Sequence, residues 1–191
     1  PVKIKVIRLR KNLGFGRAVN IGVKNSEGML ILVTNNDIIF HPKYLENLLN
    51  IYYKARINDS RIVAAQGLHM YYPDVTCIYN AGGLLTLIGG IYRYYRKCLT
   101  SSQFKHIITN WVQHNTSKPS YSYIAFANGA GMLIEKNIYT KLGGYSSLYF
   151  SGIEEIDLGI LLYRAGYKII FVPSAILYHM ESYTLGGRGV M

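Results

Sequence analysis

The hydrophobic positions of the first third of the chain alternate between the period of a strand and the period of a helix. Apolar and basic side chains take turns over Val2–Leu9, which predicts a strand with one exposed face. The apolar run Met29–Val33 predicts a buried central strand, and Arg61–Gln66 predicts another. Arg17–Asn25 and the segment that Pro42 opens have helical spacing. This order of strand, helix, strand, helix, strand is typical of a parallel α/β sheet.

The second half of the chain is less regular, and its pattern favours short extended segments on either side of a helix. Tyr123–Ala127 and Gly131–Glu135 look extended, and leucines at helical spacing predict a helix that ends at Gly166. Two short strands, Lys168–Val172 and Ala175–His179, are expected to follow it.

Length and composition indicate one folded domain. The chain has 191 residues, of which 50% are hydrophobic, and this is enough for a core of ordinary size. We expect residues 1–191 to form an open, mostly parallel α/β sheet flanked by helices, with a small antiparallel part in the second half. Val75–Tyr92 carries no charge, but its paired glycines predict strands and turns rather than a membrane-spanning helix.

The two cysteines and the N-terminal segment bear on the compartment. Cys77 and Cys98 form neither a disulfide framework nor a zinc-ligand pattern, which predicts a reducing compartment. Basic residues interrupt every apolar run near the start of the sequence, so it carries no signal-peptide pattern. We therefore expect the protein in the cytoplasm or at a membrane surface that faces it.

A cluster of polar side chains follows the first central strand. Asn35, Asn36 and Asp37 come directly after the apolar run, and ligands bind at this end of the strands in open α/β sheets. A hard divalent cation takes carboxylate oxygens together with substrate phosphates. Asp37 is therefore a candidate metal ligand, and the alternative is that the three residues only form a turn.

A second acidic cluster lies where the last helix should begin. Glu154, Glu155 and Asp157 are three of only 10 acids in the chain. A carboxylate in a site can take a proton from an attacking hydroxyl as a general base. The alternative is structural, because acids in the first turn of a helix complement its dipole.

The net charge of +11 favours anionic partners such as diphosphates, nucleic acid or an anionic membrane surface. The first 24 residues hold seven basic side chains and no acid, which is usually a solvated face. Tyr92–Lys97 mixes rings and cations, and we interpret it as facing an acceptor or a membrane. Nucleic acid is a weaker expectation, because the acidic clusters would repel its phosphates unless a metal intervened.

Several short motifs occur in a fixed order along nearly the whole chain. They are Asn12–Gly22, Leu32–Asp37, Asn128–Ile134, Leu142–Tyr145, Tyr149–Leu158, Arg164–Tyr167, Pro173 and His179. Their order and spacing resemble glycosyltransferase family 2, especially its rhamnosyltransferase-like members. The resemblance implies a GT-A fold, a nucleotide-sugar donor, a divalent cation (Mn²⁺ or Mg²⁺) and transfer to a hydroxyl acceptor with inversion at the sugar carbon.

The resemblance also implies roles for single residues in the two acidic clusters and at the last strand. Glu155 takes the place of the general base, where the family usually has Asp, and Glu154 and Asp157 would orient the site or the acceptor. His179 would lie against the metal or the diphosphate, beside Asp37.

The donor side of the site is implied in the same way. Asn12, Gly14 and Asn20 would shape a loop near the nucleotide, with Asn35 also on the donor side. The resemblance implies that the sequence starts after the unit with which family members usually bind the base. We therefore expect a base pocket that is more open, with its sheet beginning at Val2–Leu9.

The sequence thus predicts a metal-dependent, inverting glycosyltransferase acting on a glycan, a lipid-linked sugar or a protein glycan. The apparent loss of the first nucleotide-binding unit leaves a second hypothesis open, that of a catalytically degenerate binding module. A basic nucleic-acid-binding protein is a third hypothesis, which explains the charge but not the acidic clusters.

Overall fold

A computed structural model of the chain describes residues 3–85, 91–98 and 120–180, with the backbone alone for residues 91–98. In chain order, its helices and strands are α1 (Phe15–Lys24), β1 (Leu30–Val33), β2 (Ile38–Phe40), α2 (Tyr44–Asn58), β3 (Ile62–Tyr71), β4 (Cys77–Leu85), β5 (Ile91–Cys98), β6 (Ser122–Ile124), β7 (Met132–Glu135), α3 (Lys136–Lys141), α4 (Glu154–Arg164) and β8 (Lys168–His179).

The described strands form one mixed sheet. They run in the order β1–β7–β3–β4–β5, and β8 pairs with β2, β3 and β6. Among the strand pairs that the structure describes, only β3 with β8 is parallel. The α/β class is confirmed, but the expectation of a mostly parallel sheet was wrong. The reason is that β7 inserts antiparallel between β1 and β3, and a hydrophobic pattern does not reveal which strands become neighbours.

The N-terminal segment is not a strand in the structure. Residues 3–9 are extended but unpaired, and Ile4 and Val6 are 86% and 75% exposed. No strand of the described part of the chain lies beside the segment to supply a ladder of hydrogen bonds. The segment contacts the rest of the protein through a hydrogen bond of 2.9 Å that Lys5 Nζ donates to Asn25 Oδ1. The prediction of a strand over Val2–Leu9 is therefore wrong for those of its residues that the structure describes.

The predicted helices are present, and two strands are longer than the sequence suggested. β3 continues from Ile62 to Tyr71, past the predicted end at Gln66. The two short strands expected after Gly166 merge into β8, whose register against β3 shifts between Gly67 and Leu68. A local irregularity thus takes the place of the predicted break.

Each face of the sheet has its own apolar core. One face is covered by α2, whose Tyr44, Leu48 and Tyr52 pack with Ile170 and Leu177 of β8. The other core contains side chains of α1, α4 and the segment between β7 and α4, namely Val23, Tyr139, Tyr145, Leu158 and Leu162. A fully buried side chain such as Leu48 contributes about 1.5–3 kcal/mol to stability.

The uncharged stretch Val75–Tyr92 forms strands over its described residues, as predicted. No helix in residues 3–85, 91–98 and 120–180 is long and apolar enough to cross a bilayer. Cys77 takes part in a disulfide, and Cys98 lies opposite it across β4 and β5. The expectation of no disulfide was wrong, because pairing of these strands brings together cysteines that are distant in sequence. The side chains of Tyr92–Lys97 lie outside the described part of the structure.

Candidate active site

Three loops meet at one end of the sheet. Val33 of β1 is opposite Met132 of β7, so the loop after β1 and the loop before β7 lie at the same end. A Cβ on Gly131 would stand 2.5 Å from Leu177 Cδ2, which places the loop before β7 against the end of β8. This end therefore gathers Asp37, the loop Asn128–Gly131 and the last residues of β8.

Asp37 and His179 face each other at this end. β2 and β8 pair Ile38 with His179, and Met180 N donates to the carbonyl of Asp37 at 3.0 Å. Asp37 Oδ1 lies 3.8 Å from His179 Nε2. That oxygen is buried and has no hydrogen-bond partner among the described residues. A buried carboxylate oxygen without a donor is the kind of atom that a cation would satisfy.

The described residues offer few ligands for a metal ion. No group of three or more His, Cys, Asp or Glu side chains suited to a metal occurs among residues 3–85 and 120–180. Asp37 and His179 are thus two protein ligands at most here, so water or substrate phosphate would complete the shell of a hard cation. The unpartnered Oδ1 of Asp37 makes the pair fit such a cation.

Glu155 lies in the first turn of α4 and reaches the loop before β7. Its Oε1 accepts a hydrogen bond from Gly129 N of 2.5 Å. A Cβ at position 129 would stand 2.8 Å from the Phe15 ring and 3.1 Å from Glu155 Oε1. Glycine at this position thus lets the backbone approach both side chains, and Glu155 is held at the same end of the sheet as Asp37.

The loop before α1 lies beside this glycine. Asn12 Oδ1 accepts a bond from Gly14 N of 2.9 Å, which forms a tight turn. Gly14 has φ +85°, and a Cβ there would stand 2.4 Å from the carbonyl oxygen of Phe150. Phe15 N donates to that same oxygen at 3.1 Å. The turn thus joins the start of α1 to the segment that precedes α4.

Asn20 lies elsewhere and is fully engaged with the protein. Its Nδ2 donates to Tyr145 O at 2.7 Å, and its Oδ1 accepts from Tyr139 OH at 2.6 Å and from Tyr145 N at 3.0 Å. These bonds brace α1 against the segment after α3. The described bonds thus give Asn20 a structural role, and the place near the nucleotide that the resemblance implies stays a prediction.

The three acids of α4 point to different surroundings. Glu155 and Asp157 are two residues apart, so they project from nearly opposite sides of the helix. Asp157 and Asn20 line a polar cavity of about 440 Å³ together with Ser146 and Ser147. Glu154 is 2% exposed, and its Oε2 accepts from Ile153 N at 2.9 Å at the start of the helix. Glu155 is the acid of this group that reaches the loop before β7.

Sequence reasoning missed three side chains behind the site. His69 of β3 is fully buried, with neither ring nitrogen bonded to a described residue, and burial together with nearby His179 lowers its pKa to about 3. Tyr79 stacks on the His179 ring with centroids 4.3 Å apart. Gln66 is fully buried and accepts Asn128 N at 2.6 Å. The available signal was the presence of two polar residues, Gln66 and His69, within a buried strand.

A larger cavity lies away from this end. It has a volume of about 780 Å³ and is lined by Leu30 at the start of β1, by Tyr52 and Arg56 of α2, and by Glu135 at the end of β7. Leu30 and Glu135 lie opposite each other at the far end of the β1–β7 pair. The chemistry of the three loops, rather than cavity volume, therefore identifies the candidate site.

Comparison with known proteins agrees with this arrangement. The family model described as Glycosyl transferase family 2 matches residues 1–69, which include the Asn12–Gly14 turn and Asp37. Over this part of its length, about the first third, the chain is similar to glycosyl transferase family 2. The matched part ends within β3, so the positions of Glu155 and His179 lie outside it.

Curated relatives of this chain extend the likeness over most of its length. The chain is 24% identical to N-acetylglucosaminyl-diphospho-decaprenol L-rhamnosyltransferase of Mycobacterium tuberculosis, over 96% of this chain and 61% of the relative. It is 23% identical to the O-antigen biosynthesis protein RfbC of Myxococcus xanthus, over 85% of this chain and 12% of the relative. The chain thus spans about three fifths of the length of the rhamnosyltransferase.

A solved structure carries the same fold. The crystal structure of GalNAc-T7 with UDP, GalNAc and Mn²⁺ matches with a TM-score of 0.64 at 17% identity, covering 91% of this chain and 32% of that one. At this identity the likeness concerns the fold alone. The predicted GT-A fold is confirmed, as an α/β fold with a mixed sheet flanked by helices.

Proposed function

We propose that this chain is a member of glycosyl transferase family 2 and transfers a sugar from a nucleotide-sugar donor to a hydroxyl acceptor, with inversion at the sugar carbon. The observation that carries the proposal is the buried, unpartnered Oδ1 of Asp37, 3.8 Å from His179 Nε2 at the end of the sheet where Glu155 also lies. The net charge of +11 favours an anionic donor.

Asp37 and His179 would hold a divalent cation, Mn²⁺ or Mg²⁺, together with the donor diphosphate. Oxygen from a carboxylate and from phosphates is what such cations take, and the His179 imidazole would be a further, nitrogen ligand. When bound, the cation supplies neutralisation of the negative charge that grows on the leaving diphosphate. GalNAc-T7, which shares the fold, was solved with Mn²⁺ and UDP.

Glu155 would act as the general base. The acceptor hydroxyl oxygen forms a bond to the sugar carbon, the bond from that carbon to the diphosphate breaks, and the diphosphate leaves with the electron pair. The hydroxyl proton passes to the Glu155 carboxylate. Attack on the side opposite the leaving group inverts the sugar carbon. The Gly129 N–H holds Oε1 of Glu155 and so fixes the direction of the carboxylate.

The donor side is proposed to include the turn Asn12–Gly14 and Asn35. Phe15 directly follows this turn, and its ring lies close to Gly129. Asn35 precedes Asp37 in the same loop. The name of the mycobacterial relative makes a rhamnose donor and an acceptor sugar on a lipid diphosphate the first pair to try. Such an acceptor would bring the protein to a membrane surface.

Transfer assays with matched carboxylate-to-amide variants test this proposal. Glu155→Gln keeps the shape of the side chain but cannot take a proton, so turnover should fall about 10²- to 10⁴-fold while donor binding is kept. Glu46→Gln changes an exposed acid in the first turn of α2, on the other face of the sheet, and should leave turnover within about threefold of wild type. The donors are a panel of nucleoside-diphosphate sugars that includes a rhamnose donor and UDP-GalNAc.

The result that contradicts the proposal is wild-type turnover by Glu155→Gln. Donor binding without turnover in the wild type, across the full panel of donors and acceptors, would favour the binding module instead.

A further inference from the structure

A buried pair of side-chain amides links two strands of the sheet. Gln66 of β3 and Asn80 of β4 are 0% and 1% exposed. Gln66 Nε2 donates to Asn80 Oδ1 at 2.7 Å, and that oxygen also accepts from Gly82 N at 2.8 Å. Two buried amides are costly unless their polar atoms are bonded, and these bonds fix the orientation of the Gln66 side chain.

The other end of the Gln66 amide holds the loop before β7. Gln66 Oε1 accepts from Asn128 N at 2.6 Å, and Asn128 Oδ1 accepts from Ala130 N at 2.9 Å. Asn128 is thus held through both its backbone and its side chain. Because peptide units are planar, the torsions of Asn128 set the direction of the next N–H, which belongs to Gly129.

That next N–H is the donor to Glu155. Gly129 N bonds Glu155 Oε1 at 2.5 Å, so a continuous line of hydrogen bonds and one residue of backbone runs from Asn80 through Gln66 to the carboxylate. A shift of about 1 Å in a catalytic group can cost about a hundredfold in rate. The rigidity of these linked hydrogen bonds therefore affects the position of the carboxylate, and with it the rate of the reaction.

We propose that Gln66 is a positioning residue, which orients the Glu155 carboxylate through Asn128 and the Gly129 N–H. The inference rests on the proposed function, in which Glu155 is the general base. Gln66 acts through the loop and does not touch the substrate. Asn80 fixes the amide of Gln66, so that the oxygen and not the NH₂ group faces Asn128.

Two substitutions separate this role from simple packing. Gln66→Met has a similar length and removes the hydrogen bonds of the side chain to Asn80 and Asn128, along with the longer one to Gly67 O. Gln66→Glu keeps the carbonyl oxygen for Asn128, and burial favours its neutral acid, whose O–H can still donate to Asn80. We therefore expect Gln66→Glu to keep the hydrogen bonds and the turnover that Gln66→Met loses. Circular dichroism and thermal unfolding establish that each variant is folded.

Amide hydrogen exchange by NMR tests the line without any need for activity. In Gln66→Met, exchange at Asn128 and Gly129 should speed up at least tenfold over wild type, because Asn128 N loses its acceptor and the loosened loop no longer holds Gly129 N against Glu155 Oε1. Gln66→Glu should keep both amides protected. Unchanged exchange at Gly129 in Gln66→Met would overturn the inference, whatever the activity of the protein.

A double-mutant cycle with Glu155→Gln supplies the kinetic test. Gln66→Met should lower kcat about 10- to 100-fold with the donor KM within about twofold, and should cost nothing further in the Glu155→Gln background. The same fold loss in both backgrounds would overturn the inference, because Gln66 would then act independently of Glu155.

The outcomes also separate this inference from the proposed function. Wild-type turnover by Glu155→Gln would contradict both the proposed function and the positioning role of Gln66. Loss of turnover in Glu155→Gln with unchanged kcat in Gln66→Met would remove the positioning role alone.

Discussion

Replacing Asn20 by Ala decides between a role in donor binding and a role in bracing α1. The motif resemblance implies a place near the nucleotide, whereas the structure gives all three of its described bonds to Tyr139 and Tyr145. A hydrogen bond of this kind contributes about 0.5–1.5 kcal/mol net. Losing three of them should lower the free energy of unfolding of Asn20→Ala by about 2–4 kcal/mol.

Tyr139→Phe is the matched control for this loss. It removes the hydroxyl that donates to Asn20 Oδ1 and accepts from Tyr145 N, but Tyr145 N keeps its bond to Asn20 and both bonds between Asn20 and Tyr145 remain, so it should cost about 1 kcal/mol. Urea denaturation measures the free energy of unfolding of both variants, and calorimetry measures their affinity for UDP in Mn²⁺.

The expected result is a stability loss in Asn20→Ala at least twice that in Tyr139→Phe, with UDP affinity within about threefold of wild type. Unchanged stability together with a tenfold loss of UDP affinity would refute the structural assignment. Asn20 would then contact the donor, as the resemblance implies.

Three further substitutions test other parts of the structure by their free energy of unfolding. Gly14→Ala should cost about 2 kcal/mol or more, because φ is +85° and the new Cβ would stand 2.4 Å from Phe150 O; a stability equal to wild type would contradict this. Tyr44→Phe leaves the buried carbonyl of Gly131 without its 2.6 Å bond and should cost about 1–3 kcal/mol, so a loss below about 0.5 kcal/mol would count against the bond. Burial and nearby His179 lower the pKa of His69 to about 3, so below pH 6.5 the unfolded chain binds a proton that the folded chain does not. Stability should therefore fall by about 2 kcal/mol from pH 6.5 to 5, more steeply than in His69→Leu, and equal acid sensitivity of the two proteins would rule this out.

The helices were predictable because each carries a periodic apolar face, and the helix predicted from the leucines of α4 is confirmed in this way. The apolar run Met29–Val33 does form the strand β1, but its predicted buried, central position was wrong, because β1 ends the described strand order, is only partly buried and has Met29 87% exposed. The insertion of β7 between β1 and β3 was not predictable in this way. It depends on which strands become neighbours, and the period of a single segment carries no such information.

The candidate site was predictable only in part, for a related reason. Asp37 follows a strand and Glu155 begins a helix, and such positions can be recognised locally. The partners of Asn20 lie more than 100 residues away, so its engagement could not be seen from its own motif. Gln66 gave a weak signal, a polar residue in an apolar strand, and its partner Asn128 again comes from a distant segment.

The central claim is that Asp37 holds a divalent cation for a nucleotide donor, and calorimetry of UDP binding tests it most directly. Wild type should bind UDP at least tenfold more tightly in Mn²⁺ than in EDTA. Asp37→Ala should lose that difference, because it removes the buried oxygen that faces His179. Asp157→Asn, whose side chain lines a separate cavity, should keep it. Equal UDP affinity of the wild type in Mn²⁺ and in EDTA would contradict the account.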